Sequence, residues 1–260
     1  MVQITDYSDL AALAETCLRP GVYTNVMVTR DKFAGEIAAG TLSAKLDGHN
    51  LLIAVRRSDH VRLYFYINDL TRPLYSGFDV PAVTEIAFRI AGDRTVPVRE
   101  YFEGCGFSRL LRRIRLSRPA GLPASAVPSG IVYPTDTAEI SAFLTASFSP
   151  LTGCLPAEAE ILSAMGEKRF LALRDDRGLA GLIHLCPERN AAEIRHLAVR
   201  EDLRGRGLAR RLVSAGLSAM PHKLFRVWVR EDLTPAHSVY ASAGFSPDGW
   251  ASQVFLLNRK

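Results

Sequence analysis

The chain has 260 residues, 48% of them hydrophobic and 23% charged, with a formal net charge of +5. This composition is typical of a globular protein with one or two cores and excludes a disordered chain. No apolar run approaches the ~18 residues of a membrane-spanning helix, so no membrane partner is expected. The N-terminus has no basic stretch before an apolar core, and the cytoplasm is the expected location.

The cysteines and the basic residues narrow the possible partners. The four cysteines lie far apart, without the spacing of a metal site, so packing thiols and no bound metal are expected. The densest basic cluster, RLLRRIRLSR (109–118), interleaves arginine with leucine and isoleucine. That pattern is typical of a strand with one wet face. Because no nucleic-acid-binding motif appears, nucleic acid is not expected as a partner.

In chain order, the first predicted element is a helix over DLAALAETCL, capped by Ser8. A second helix is predicted over RDKFAGEIAAG. Strands follow at VRLYFYI (61–67) and EIAFRI (85–90), and then a helix that ends in YFEGCGF (101–107).

PAGLPASAVPSG (119–130) has the proline, glycine and small residues of a linker. The predicted organisation is therefore a domain over 1–118, a linker over 119–130 and a second domain over 131–260. The second domain begins with a short strand and a helix that Thr135 caps. The elements predicted after these are a helix at PAEAEILSAMG, strands at RFLALR, LAGLIHL (179–185) and 193–199, a helix at 208–220, a strand at LFRVWV and a helix ending in YASAGF.

The two halves resemble each other, since EIAFRI and YFEGCGF match LFRVWV and YASAGF in nearly the same register. We expect two α/β domains, each a mixed sheet with flanking helices. VRLYFYI is matched with LAGLIHL, so the first copy is predicted to lack a strand, the RGRGLA turn and the helix after it. Phe102 stands opposite Tyr240, and the first copy is expected to be catalytically silent.

The glycine-rich turn RGRGLA (204–209) lies where a helix begins. The free N–H groups and the dipole of a helix N-terminus attract anions, and glycine allows a close approach of the main chain. With the arginines around it, the turn predicts a phosphate site. The spacing fits neither a dinucleotide fingerprint nor a P-loop. Glycines that merely shape a turn are the alternative.

RGRGLA resembles the acyl-CoA motif of the GNAT superfamily of N-acyltransferases, Arg/Gln-x-x-Gly-x-Gly/Ala. Downstream, PAHSVYASAGF is similar to the helix of that family that carries a tyrosine before Gly-Phe. The resemblance covers the whole second half and implies acetyl-CoA as the acyl donor. It implies a primary amine of a small molecule or peptide as acceptor, attacking directly in a ternary complex. The residues it assigns to coenzyme A are Leu197, Ala198, Val199, Arg204, Gly205, Arg206, Gly207, Leu208, Ala209 and Arg210.

The resemblance makes Tyr240 the general acid, since a phenol of pKa near ~10 can protonate a departing thiolate. Glu193, fourteen residues before Gly207, matches the glutamate that histone-type enzymes use as base through water. An ion pair with Arg195 is the alternative role of this carboxylate. His184 and His196 are weaker candidates for the base. A main-chain N–H within 197–199 is expected to stabilise the oxyanion.

Leu233 departs from the pattern, because the family often has asparagine there. One pantetheine contact is therefore lost, or is supplied by Thr234 or His237. A longer acyl-CoA, a carrier-protein thioester and a non-catalytic CoA-binding sensor are the alternative functions. The predicted acceptor loop, SPLTGCLPAEAE (149–160), identifies no acceptor, and nothing in the sequence indicates an oligomeric state.

Overall fold

A computed structural model gives the fold and describes residues 1–74, 77–122, 128–221 and 223–258, with only the main chain for residue 31. Residues 123–127 of the predicted linker lie outside the described residues. The chain divides into two compact units, the first formed by Met1–Arg112 with Ala251–Lys260 and the second by Arg113–Trp250. Across these described ranges, no helix has the length and apolar composition needed to cross a membrane.

The first unit is a mixed sheet with helices. Its helices are α1 (Tyr7–Cys17), α2 (Arg30–Ala38) and α3 (Val96–Gly104). Its strands are β1 (Val2–Gln3), β2 (Tyr23–Thr24), β3 (Leu42–Asp47), β4 (Asn50–Arg56), β5 (Val61–Ile67) and β6 (Ala82–Arg89), with residues 108–112 of β7 (Ser108–Arg118) and 251–257 of β12 (Ser246–Leu257). The strand order is β1-β3-β4-β5-β6-β12-β7, and β2 pairs with β5.

The second unit repeats this plan. Its helices are α4 (Thr137–Ser147), α5 (Glu158–Gly166), α6 (Leu208–Ala219) and α7 (Thr234–Ser242). Its strands are β8 (Phe170–Asp175), β9 (Gly178–Pro187), β10 (Ala191–Val199) and β11 (Leu224–Arg230), with residues 113–118 of β7 and 246–250 of β12. The strand order is β8-β9-β10-β11-β7-β12. The mixed α/β fold class and the tandem arrangement are confirmed.

The two faces of the second sheet carry separate cores. One core joins α6 and α7 to the sheet through side chains such as Leu212, Val227 and Tyr240. The other joins α4 and α5 to it through Ile140 and Phe170. We call the α4–α5 side the acceptor face, because the predicted acceptor loop connects these two helices.

The helix caps differ from the prediction. Asp6 caps α1 by accepting from the Ser8 N–H, and Asp136 caps α4 by accepting from two N–H groups of its first turn. Ser8 and Thr135 are therefore wrong as caps. An aspartate stood next to each predicted cap or close to it, and a carboxylate is an equally good acceptor at this position.

The units also divide the chain differently from the predicted domains. Residues 113–118 pair with β11 of the second unit, for example Leu116 with Val227. Residues 251–257 belong to the first unit, where Phe255 stacks on Phe102 at 6.1 Å. Each half of the sequence thus supplies one strand segment to the unit formed mainly by the other half. Local sequence patterns carry no information on such long-range pairing.

The predicted alignment of the two halves is wrong in one respect. β5 and β6 are parallel neighbours, as are β10 and β11. VRLYFYI, which is β5, therefore corresponds to β10 and not to LAGLIHL in β9. The predicted elements contain no hairpin of β3 and β4, so the predicted alignment is shifted by one strand. The first unit lacks no strand, but its described residues contain no helix between β5 and β6, so the missing acyl-CoA motif is confirmed.

In the first unit, the chain itself fills the space where two parallel strands part. Within the described residues, β5 and β6 pair only at 61–62 with 82–83. Asn25, which follows β2, lies beyond this point. Its Oδ1 accepts from the Phe65 N–H at 2.9 Å, and its Nδ2 donates to Glu85 O at 3.1 Å. One carboxamide thus bridges the main chains of β5 and β6.

Asn25→Ala is expected to destabilise the first unit by about 2–3 kcal/mol, because it removes the hydrogen bonds that connect the main chains of both strands. Thermal or denaturant unfolding of the full chain measures this loss. Asn190→Ala, at an exposed turn of the second unit, is the control and should cost less than ~0.5 kcal/mol. Equal stabilities of the two variants would contradict the bridging role of Asn25.

Candidate functional site

In the second unit, two parallel strands part just before the glycine-rich turn. Within the described residues, β10 pairs with β11 only at 191–193 with 224–226. Beyond Glu193, β10 continues to Val199 and β11 continues to Arg230. The two strands leave a gap between residues 194–199 and residues 227–230, which we call the β10–β11 opening.

The main chain of β10 directs N–H groups into this opening. The Arg200 N–H donates to Ala180 O of β9 at 2.9 Å. Main-chain groups alternate in direction along a strand, so Ala198 also faces β9. Leu197 and Val199 therefore point their N–H groups toward the opening.

The glycine-rich turn presents a run of unused N–H groups. Gly205 and Gly207 have φ of +77° and +78°, a conformation that side chains with a Cβ rarely adopt. The first helical bond of α6 is from the Arg211 N–H to Gly207 O. From 205 to 210, the N–H groups donate to no acceptor among the described residues. Together with the positive end of the helix dipole, they form an anion cradle at the end of β10.

The charges around the turn favour an anion. Arg204, Arg206 and Arg210 are exposed. Asp202, the nearby acid, is hydrogen-bonded by Arg200 at 2.7 Å, which lowers the pKa of this carboxyl. Glu201 lies 3.9 Å from Arg204, so this arginine is partly paired, but the summed charge of the turn remains positive and favours an anion.

Tyr240 lies on α7 inside the core next to α6. It is 4% exposed, and its ring contacts Phe245 edge-on at 5.3 Å. Its hydroxyl makes no hydrogen bond to the described residues. Burial raises the pKa of Tyr240, so the phenol is protonated at neutral pH.

A bulge in β10 brings polar residues onto one face. The register shifts between Ile194 and His196, so Arg195 is the extra residue. Glu193 lies opposite Cys186, and His196 lies opposite His184. Simple alternation would place Glu193 and His196 on opposite faces, but the bulge places both on the acceptor face. Glu193 also pairs with Arg195 at 3.3 Å, the alternative that the sequence left open.

The two histidines form a hydrogen-bonded chain whose direction is fixed. His196 Nε2 donates to Gly153 O at 2.8 Å, because a carbonyl only accepts. Burial lowers the pKa of His196 to about 4 and that of His184 to about 2, so both rings are neutral. His196 Nδ1 must then accept from His184 Nδ1–H at 3.1 Å, and His184 Nε2 accepts from the Cys186 thiol at 3.6 Å. Both rings thus use their lone pairs in hydrogen bonds within the protein, which favours Glu193 over either histidine as the base.

This chain predicts how stability depends on pH. In the native state His184 and His196 stay neutral below pH 6.5, whereas in the unfolded chain they become protonated. The free energy of unfolding therefore falls as pH decreases from 6.5 toward 4. Each histidine contributes about 1.4 kcal/mol per pH unit in this range. His196→Gln should reduce the slope of unfolding free energy against pH by about that amount. An unchanged slope in denaturant titrations between pH 4.5 and 6.5 would contradict the neutral pair.

A family model described as the acetyltransferase (GNAT) family matches residues 138–245. The match spans the β10–β11 opening, the cradle and Tyr240. Residues 138–245 form a GNAT domain.

Solved structures match the chain over nearly its whole length. A tandem GNAT protein from the clavulanic acid biosynthesis pathway has a TM-score of 0.63 at 14% identity, over 99% of this chain and 97% of that one. A GCN5-related N-acetyltransferase from Sphaerobacter thermophilus has a TM-score of 0.59 at 15% identity, over 99% and 95%. No curated protein matches the sequence. At such identities the likeness concerns the fold, which is that of tandem GNAT proteins.

The turn before α7 of the GNAT domain differs from the family's usual pattern. Leu233 is the N-cap of α7 and is 45% exposed, with no side-chain acceptor to cap the helix. His237 Nε2 donates to Arg230 O at 2.9 Å, which closes the turn between β11 and α7. The Nε2 proton of His237 is therefore already used in a hydrogen bond within the protein. Of the two residues predicted to supply the pantetheine contact, Thr234 is the less restricted.

Arg113 and His196 hold the predicted acceptor loop in place, a role that the sequence does not predict. Arg113 donates to Thr152 O at 2.7 Å and His196 donates to the next carbonyl, Gly153 O. Gly153 permits a tight turn, since a Cβ there would lie 2.8 Å from Ser149 O. No sequence motif marks these contacts, because they join residues distant in the chain.

Proposed function

We propose that the second unit transfers the acetyl group of acetyl-CoA to a primary amine by direct attack in a ternary complex. The run of unused N–H groups at 205–210, beside exposed arginines, carries this proposal. Such a run suits the diphosphate of coenzyme A. The substrates that it implies are acetyl-CoA and a small-molecule or peptide amine.

The first unit supports the same assignment by internal comparison. There the gap between the parallel strands holds the carboxamide of Asn25, which bonds to main-chain groups on both sides. In the second unit, no side chain of the described residues bonds to the main chains of both β10 and β11 in this way; Arg204 Nε donates only to Val199 O at 3.4 Å. The pantetheine arm of coenzyme A is an extended chain with amide groups, so it can accept from one of the N–H groups of Leu197 and Val199 and leave the other for the oxyanion.

The reaction requires a neutral amine, a stabilised oxyanion and a protonated leaving group. Glu193 takes a proton from the amine, through water, and the amine nitrogen then attacks the thioester carbonyl carbon. The Leu197 or Val199 N–H stabilises the oxyanion as the new C–N bond forms. When the C–S bond breaks, the Tyr240 hydroxyl gives its proton to the thiolate. The nitrogen, which still carries one proton more than an amide, then loses it, and this proton restores the phenol, so the products are an amide and free coenzyme A.

The alternatives use the same cradle. A longer acyl-CoA or a carrier-protein thioester changes only the donor, whereas a CoA-binding sensor would release no thiol. The exposed Leu233, in place of a polar residue, is the observation that favours the sensor.

Thiol release from acetyl-, butyryl- and decanoyl-CoA, with a mixed panel of primary amines, tests the proposal. We expect release that depends on an amine and is fastest with acetyl-CoA. Fastest release from a longer chain would assign a different donor. Binding of coenzyme A without release under any of these conditions would assign the sensor.

A further inference from the structure

Arg115 is held in one orientation in the second unit. Its guanidinium lies over the rings of Trp228 at 5.6 Å and Trp250 at 5.1 Å. Its Nε donates to the Asp248 carboxylate at 2.7 Å. The side chain is 18% exposed. Two indole rings and one carboxylate therefore fix a cation that most arginines would leave mobile.

The terminal nitrogens of Arg115 are unused. Within the described residues, the Arg115 side chain makes no hydrogen bond besides the one to Asp248. A guanidinium has five N–H donors, and its terminal nitrogens form a planar fork that matches the two oxygens of a carboxylate. Because the fork is already oriented, little conformational entropy is lost when it binds such a group.

Arg115 lies on the strand next to β11, beside the β10–β11 opening. Arg115 is paired with Trp228 on β11. Arg226, two residues before Trp228, is the last residue of β11 paired with β10. Trp228 therefore borders the opening, and Arg115 lies on the next strand beside it.

Arg115 also lies on the acceptor face. Its neighbours Ile114 and Leu116 belong to the core on the α6 side, so Arg115 points to the opposite side of the sheet. Two residues before it, Arg113 holds the acceptor loop through Thr152 O at 2.7 Å. The same loop is bonded from β10 by His196. The acceptor loop is thus hydrogen-bonded both to β10, which borders the opening, and to β7, the strand that carries Arg115.

We propose that Arg115 binds a carboxylate of the acceptor, so that the amine acetylated by the second unit belongs to an amino acid or a compound of that kind. This inference rests on the proposed function. It adds a substrate class, since an arginine fork beside the opening selects amines that carry a carboxylate a few bonds away.

Matched amines test the inference directly. L-Phenylalanine is compared with L-phenylalaninamide and 2-phenylethylamine, and L-leucine with L-leucinamide and 3-methylbutylamine, in thiol-release assays with acetyl-CoA. The amides have the less basic amines, so intrinsic reactivity near neutral pH favours the amides over the acids. We expect the acids to have at least a ~10-fold higher kcat/KM than their neutral partners.

Arg115→Met keeps the apolar stem between the indoles and removes the fork. It should raise the KM of the acids ~10-fold or more and leave the KM of the neutral amines and the Kd of coenzyme A unchanged. Arg115→Lys keeps the charge and should recover part of the loss. Arg174→Met, which removes an exposed ion pair with Glu139 in the same unit, is the control and should change neither KM.

Three outcomes overturn the inference: no preference for the acids, no reaction of any pair, or equal losses for acids and neutral amines in Arg115→Met. If Arg115→Met does not fold, the preference of the wild type for the acids and the KM of the acids with Arg115→Lys test the inference. Thiol release from acetyl-CoA with the other primary amines of the panel separates this failure from failure of the proposed function, because the proposed function fails only if no primary amine supports release.

Discussion

Residues 131–260 expressed alone are expected not to fold, although the sequence delimits them as a domain. This fragment lacks residues 113–118, which pair with β11 along its length, from Phe225↔Arg118 to Arg230↔Arg113. It also loses Leu116, which is buried in the core of the second unit. Removing an interior strand leaves β11 with an unpaired edge and an open core, and the loss exceeds the 5–15 kcal/mol stability of a typical domain.

The fragment 113–250 is the matched control, because it contains the whole second unit. We expect it to unfold cooperatively in denaturant and to bind coenzyme A, whereas 131–260 shows no cooperative transition. A chain truncated after Trp250 tests the assignment of residues 251–257 to the first unit, since that unit then loses Phe255, which is fully buried. Cooperative unfolding of 131–260 would contradict the assignment of residues 113–118 to the second unit.

Tyr240→Phe is expected to lower turnover by ~10²-fold or more, on the magnitude of general acid catalysis. The substitution removes only the hydroxyl and keeps the ring contact with Phe245 at 5.3 Å. The Kd of coenzyme A should therefore change little. The first unit already carries this substitution by nature, with Phe102 at the corresponding place.

Steady-state thiol release and calorimetry on the same preparations measure the two effects. Tyr133→Phe, at a tyrosine of the second unit that is 50% exposed, serves as the control with unchanged turnover. If Tyr240→Phe retains full turnover, the proton for the thiolate comes from another group or from water. An equal loss of turnover and coenzyme A affinity would instead assign Tyr240 to binding.

The parts of the fold that depend on local chemistry could be predicted. The spacing of Leu208 and Leu212 predicts a helix over 208–220, and the structure has it at Leu208–Ala219. The strand at 61–67 is found as predicted. The mixed α/β class is confirmed, since it rests on the order of helices and strands along the chain. The GNAT resemblance agrees with the family model at residues 138–245, because its motifs are contiguous and their glycines and arginines have a direct physical role.

The features that depend on distant residues could not be predicted. The bulge at Arg195 rotates the rest of β10 and brings His196 beside His184, and no local pattern announces an extra residue in a strand. The exchange of strand segments between units has no sequence signature. Asn25 lies in an ordinary loop, and its role follows only from the parting of β5 and β6. The roles of Tyr240, Glu193 and the coenzyme A residues remain proposals.

Titration calorimetry with coenzyme A tests the central claim most directly, namely that the cradle and the β10–β11 opening of the second unit bind an acyl-CoA. We expect one molecule per chain, because Asn25 fills the corresponding gap in the first unit. Gly207→Glu should abolish binding, since it adds a negative charge and forces a side chain into φ of +78°. Gly92→Glu, at φ of +68° in the first unit, should bind coenzyme A with the affinity of the wild type. No binding by the wild type, two molecules per chain, or unchanged affinity in Gly207→Glu would contradict the account.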